Sequence, residues 1–216
     1  MNTSQQVDRD VAELTLLATN AKNDPEILTS LEPLGYTAEK LDEGLVIASA
    51  VQQKQQEIQQ RYGEKYAASD VLTEKRDAAE VEYRRIAGLA ERIFTNDRFA
   101  YNTLALDWKK TSPYSVWLSR RLQFFNNSLA NDTIKTKLAE HGITEAMLQN
   151  GLTLVNAVET ARSEREQKRG RAQQATYERN ILARDMRSYY RDLKTVSRIA
   201  LKDKPQYLER LGIVVK

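Results

Sequence analysis

The fold of this chain is decided by residues 31–51, which read LEPLGYTAEKLDEGLVIASAV, because residues 138–158 repeat their pattern as LAEHGITEAMLQNGLTLVNAV. Eight positions are identical at an offset of 107, and the same offset carries Gly63 onto Gly170. Self-similarity at a fixed period is typical of a duplicated structural unit. The sequence therefore predicts two tandem copies of a unit of about 107 residues, at 1–107 and 108–216.

Nearly the whole chain is predicted to be helical. Residues 7–21 carry apolar side chains at spacings of three and four, which is the pattern of an amphipathic helix. Asp24 and Pro25 form a helix start, with the aspartate as N-cap and the proline at the first helical position. Gly35 fits the left-handed residue that ends such a helix. Only 8 glycines and 4 prolines occur in 216 residues, which disfavours an all-β protein.

Each copy then contains a long segment whose middle is polar and includes one glycine. These segments cover residues 37–95, with Gly63, and residues 144–201, with Gly170. A helical hairpin and a single continuous helix are both compatible with this pattern. The hairpin is favoured here, because helices of such length are uncommon.

The predicted fold class is thus an all-α helical bundle of two copies, each with a long helical hairpin. A pseudo-twofold axis is expected to relate the copies, which pack together as one compact bundle. Large aromatic side chains are predicted to fill the seam between the copies, although a ligand pocket would explain them too. This aromatic seam consists of Trp108, Tyr114, Trp117, Phe124 and Phe125.

The residue types present argue against catalysis. The chain has no cysteine and one histidine, His141, with no glutamate three residues before it as a di-iron bundle requires. Glycine-rich phosphate loops and nucleophile motifs do not occur. We therefore expect no enzyme activity and no catalytic, cofactor-binding or metal-binding residues.

Charge is divided unevenly along the chain. Residues 1–106 carry 12 Lys/Arg against 18 Asp/Glu, whereas residues 107–216 carry 21 against 12. This asymmetry indicates either a charged partner or two halves that face each other. A possible basic binding face lies within residues 162–198, where arginine outnumbers lysine and suits phosphate contact. Its candidate residues are Arg162, Arg165, Lys168, Arg169 and Arg171.

The leading functional prediction is a non-enzymatic structural or protein-interaction bundle, with a protein partner or self-association. The alternative is binding of nucleic acid or an acidic partner through the basic face. A third hypothesis is a small-molecule pocket where the copies meet. The longest apolar run, near residues 45–51, is far shorter than a membrane span, and the first residues do not resemble a secretory signal. We therefore expect a cytoplasmic protein.

Overall fold

The computed structural model describes residues 3–107 and 113–214, and these residues form helices and turns with no strand among them. The described part of the chain has eight α-helices in the order α1 Thr3–Asn23, α2 Pro25–Leu31, α3 Ala38–Ile93, α4 Arg98–Thr103, α5 Tyr114–Ala130, α6 Asp132–Glu140, α7 Glu145–Ala200 and α8 Pro205–Arg210. A short 3-10 turn, Glu32–Leu34, follows α2. The predicted all-α helical bundle is confirmed.

Local signals set the helix boundaries. Asp24 caps α2 by accepting from the backbone of Glu26 and Ile27, with Pro25 at the first position. Asn131 caps α6 in the same way, accepting from the backbone N–H of Ile134. Gly35 ends the turn after α2 with φ of 86°, a left-handed conformation that carries no steric cost in glycine.

The two long segments are continuous helices, so the predicted hairpins are wrong. Gly63 and Gly170 lie inside α3 and α7 without leaving the helical backbone. A glycine costs a helix interior only about 1 kcal/mol relative to alanine. The surrounding Gln, Glu, Lys, Arg and Ala residues favour helix, and ion pairs one turn apart, such as Glu57–Arg61, support it.

The chain forms two compact units that cut across the predicted copies. Unit 1 combines residues 1–63 with residues 169–216, and unit 2 is residues 64–168. Each unit therefore takes part of α3 and part of α7. The division of the sequence at 107/108, the tandem duplication and the pseudo-twofold axis stay predictions.

Unit 1 packs α1, α2 and α8 around its parts of α3 and α7. Within it, α3 and α7 run antiparallel: Tyr189 of α7 bonds to the Lys40 carbonyl, whereas Arg179 bonds to Gln55. Small and aliphatic side chains fill the core. Its members include Leu14, Leu17, Ile27, Leu31, Leu41, Val51, Met186 and Leu193.

Unit 2 packs α4, α5 and α6 around the remaining parts of α3 and α7, which are again antiparallel. Lys168 pairs with Glu64 at 3.0 Å, and Arg165 donates to the hydroxyl of Ser69 at 3.4 Å. The core of unit 2 is more aromatic than that of unit 1. It includes Tyr83, Ile86, Phe94, Trp117, Phe124, Phe125, Leu148 and Val155.

Candidate functional site

A concentrated group of polar contacts in unit 2 surrounds the carboxylate of Glu80. Arg121, whose side chain is fully buried, donates to Glu80 Oε2 at 2.7 Å from one terminal nitrogen and at 3.1 Å from Nε. Trp117 donates its indole N–H to the same oxygen at 2.8 Å. Arg84 binds the other oxygen at 2.7 Å. We call these four residues the Glu80 cluster.

Aromatic rings complete the surroundings of Arg121. Its guanidinium carbon lies 4.4 Å from the ring centroid of Tyr83 and 4.9 Å from that of Trp117. Such cation–π contacts are strongest where water is excluded, as it is around this buried arginine. The Glu80 cluster therefore fixes α5 to α3 through a desolvated positive charge.

The cluster also sets the ionisation of its carboxylate. Burial alone would raise the pKa of Glu80, but hydrogen bonds from Arg121, Trp117 and Arg84 outweigh burial and hold it below its ordinary value. Burial raises the pKa of the neighbouring Tyr83 phenol, and the charge of Arg121 opposes that rise. Glu80 is thus an ionised acceptor whose oxygens are occupied by protein donors.

Unit 1 contains two ion-pair groups that also connect different helices. Arg187 of α7 donates to Asp10 of α1 at 2.6 Å. Lys54 of α3 lies 2.8 Å from both Glu178 of α7 and Glu57 of its own helix. The hydrogen bonds that Lys54 donates to Glu178 and Glu57 raise its pKa. Charged side chains in unit 1 therefore hold helices together.

The structure divides the predicted basic face. Arg162, Arg165 and Lys168 belong to unit 2, whereas Arg169 and Arg171 are exposed residues of unit 1. Several of these cations contact other side chains of the chain. Arg165 pairs with Glu166 at 2.5 Å, Lys168 pairs with Glu64, and Arg162 lies 4.2 Å from the ring centroid of Tyr114.

The charge asymmetry of the sequence vanishes within the units. Unit 1 contains 17 Lys/Arg against 15 Asp/Glu, and unit 2 contains 16 against 15. Each unit joins acidic segments of the first half of the chain with basic segments of the second half. Each unit therefore contains nearly as many acidic as basic residues.

The predicted aromatic seam lies in unit 2 as far as the structure describes it. Tyr114 and Trp117 stack with centroids 5.8 Å apart, and Phe124 meets Phe125 edge to face. Both phenylalanines also pack edge to face with Tyr83 of α3. Trp108 lies outside the described residues. The aromatic side chains that are described serve as core packing in this unit.

Residues 3–107 and 113–214 contain neither a cluster of metal-ligand side chains nor a membrane-spanning helix. No three His, Cys, Asp or Glu side chains in these ranges gather closely enough to hold a metal ion. His141 ends α6 as an exposed residue, with Nδ1 2.9 Å from the Lys137 carbonyl. None of the helices described combines the length and apolar character needed to cross a bilayer.

Sequence reasoning missed the Glu80 cluster, although the sequence contains a signal for it. Trp117, Arg121, Phe124 and Ser128 lie on one face of α5, and all four are buried. A charged residue at a core-facing position of a helix indicates a buried ion pair, because an isolated buried charge is too costly. Arg121 is such a residue.

Comparison with known proteins gives no relative from which a role could be transferred. The chain matches no protein-family model, no curated protein and no solved structure. The following proposals therefore rest on its own residues.

Proposed function

We propose that the protein is a non-enzymatic structural or interaction protein whose helical surface binds a protein partner. One observation carries the proposal: the buried or half-buried polar side chains described above form hydrogen bonds that connect one helix to another. Glu80 and Arg121 join α3 to α5, and Tyr189 joins α7 to α3 through its hydroxyl. Perturbed ionisable groups often mark active sites, but ion pairs that hold a fold together perturb them too. The groups named here fit the second case.

A tandem duplication is part of this proposal, and the helix boundaries support it. Helices α2, α3 and α4 begin at residues 25, 38 and 98, and α6, α7 and α8 begin 107 positions later. Equivalent positions also make equivalent contacts. Trp117 donates to Glu80 in unit 2, and the residues 107 positions away from them, Asp10 and Arg187, pair in unit 1. The duplicated helices form a scaffold, which we place in the cytoplasm.

Exposed apolar side chains offer a surface for a partner. In unit 2, Val81 is 69% exposed and Leu89 is 44% exposed, both on α3. They lie two turns apart, separated by about 80° around the helix. When a partner covers apolar side chains of this kind, the free energy of the system falls.

Affinity capture with matched variants tests the interaction role. The double variant Val81→Ser, Leu89→Ser should keep the wild-type circular dichroism spectrum and lose proteins that the wild type recovers from cells. The double variant Thr73→Ser, Thr95→Ser changes one exposed polar position in α3 and one in the turn after it, and should lose none. Identical recovery by all three chains would contradict the use of this surface.

The second candidate is binding of nucleic acid or an acidic partner through the basic face. Arg171 favours it, because this exposed residue makes no ion pair with the residues that the structure describes. Size-exclusion chromatography with light scattering, on protein purified without nuclease, separates the candidates and gives the oligomeric state. Nucleic acid that co-elutes at low salt and dissociates at high salt would support the basic face. Its persistence in the variant Arg165→Glu, Arg169→Glu, Arg171→Glu would exclude that face.

A further inference from the structure

Unit 1 contains a pocket of about 250 Å³ between α1, the last turns of α7 and the residues after α8. Three α7 side chains line it at intervals of one turn: Tyr190, Lys194 and Arg198. Residues four apart lie on the same face of a helix, so these side chains point into one space. The pocket belongs to no site described above.

The α7 side of the pocket is cationic. Lys194 donates to the Tyr190 hydroxyl at 3.2 Å and lies 5.1 Å from the centroid of its ring. Arg198 is exposed and forms no ion pair with the residues that the structure describes. Glu13 lines the opposite side, but Arg9 lies 3.6 Å from its carboxylate. The Arg198 guanidinium therefore has donors available for an anion.

The remaining wall is apolar. Leu16 of α1 is 50% exposed, and Leu211 and Val214 line the pocket beside it. Gly212 has φ of 73°, and a Cβ atom there would lie 3.0 Å from Leu16. The glycine thus lets the chain after α8 approach α1 and close this wall.

We propose that this pocket binds a small organic carboxylate, with its charged group on Lys194 and Arg198 and its apolar chain against Leu16 and Val214. Arginine donates to carboxylate in a fixed planar geometry, which makes it the principal contact. The pocket is smaller than the roughly 300–1,000 Å³ of sites for drug-sized ligands. A short-chain acid matches both its size and its divided lining.

The first test is a titration of the full-length ¹⁵N-labelled chain with sodium hexanoate, followed through the backbone amide of Gly212. Saturable movement of this signal is expected. Hexanol, which has the chain without the charge, and inorganic phosphate, which has charge without the chain, should each cause much smaller shifts. Equal movement with hexanol or with phosphate would overturn the proposal, and so would no movement with hexanoate.

Variants locate the binding group. Arg198→Gln should weaken hexanoate binding at least about tenfold, the usual effect of losing a charge-assisted hydrogen bond. Arg191→Gln removes an exposed arginine of α7 that does not line the pocket and should leave affinity unchanged. Glu13→Gln removes a repelling charge and should tighten binding roughly threefold. Equal affinities of the Arg198→Gln and Arg191→Gln variants, both with wild-type melting temperatures, would overturn the assignment.

Discussion

The ring of Tyr189 occupies the space into which a Cβ atom would project from Gly44. This contact lets α7 approach α3 closely in unit 1. Gly151, the residue 107 positions after Gly44, has the ring of Phe125 in the corresponding space in unit 2. Close packing against an aromatic ring therefore explains the glycine at position 44 and the glycine at position 151.

The first prediction concerns these two contacts. Gly44→Ala and Gly151→Ala should each lower the free energy of unfolding by about 1–3 kcal/mol, because the added methyl group overpacks a filled core. Urea denaturation followed by circular dichroism measures the change. Gly88→Ala is the matched control, since Gly88 lies in α3 with nothing near its Cβ position. Destabilisation of the Gly88 variant by a similar amount would show that packing is not the cause.

The second prediction tests the continuity of the long helices. Gly63→Ala and Gly170→Ala should each raise the free energy of unfolding by up to about 1 kcal/mol, because alanine is the better helix former and both positions are open. The same denaturation measurement applies. A loss of stability in both variants would indicate that a turn is required at these glycines.

The third prediction concerns the Glu80 cluster. Glu80→Ala should lower the free energy of unfolding by about 3 kcal/mol, because it leaves the Arg121 charge buried without its carboxylate. Thermal and urea unfolding give the value. The double variant Glu80→Met, Arg121→Met should be more stable than Glu80→Ala, since it removes the buried charge as well. If the double variant were less stable than Glu80→Ala, the unpaired buried charge of Arg121 would not be the cause of the lost stability.

The fourth prediction is the pH dependence of the same pair. The folded-state pKa of Glu80 lies below its ordinary value of 4.5. As the pH falls, Glu80 is therefore protonated in the unfolded chain at a higher pH than in the folded chain. The stabilisation is complete above about pH 4.5 and is lost as the pH falls through the folded-state pKa. Wild type should lose more stability than Glu80→Gln between pH 6 and pH 3. Parallel curves would contradict the assignment.

The fifth prediction compares two ion pairs by double-mutant cycles. Asp10→Asn with Arg187→Gln should show a coupling energy of about 1 kcal/mol, because the Asp10 side chain is only 15% exposed. Arg9→Gln with Glu13→Gln should show a smaller coupling, since both side chains are about half exposed. The measurement is unfolding at low ionic strength, where screening is weak. Equal couplings would remove the proposed role of burial.

The sequence predicted those parts of the fold that depend on neighbouring residues. The cap at Asp24 was predicted because its side chain and the backbone it caps lie within three positions of each other. The left-handed Gly35 was predicted for the same reason. Local chemistry is sufficient for such features.

Features that depend on a distant partner were not predicted. The polar middles of α3 and α7 resemble loops when read alone, yet Lys54 pairs with Glu178 and Glu64 pairs with Lys168. Each of these pairs joins residues more than 100 positions apart in the sequence. The Glu80 cluster was missed similarly, since 41 positions separate Glu80 from Arg121.

The division into units has a consequence for biosynthesis. Unit 2 is one contiguous segment, whereas unit 1 needs residues from both ends of the chain. During translation from the N-terminus, all 105 residues of unit 2 follow residue 63 before the first C-terminal residue of unit 1 is made. At about 5–20 residues per second, that interval is roughly 5–20 s. The nascent α1 and α2 therefore stay without the α7 part of unit 1 until the whole of unit 2 has been synthesised.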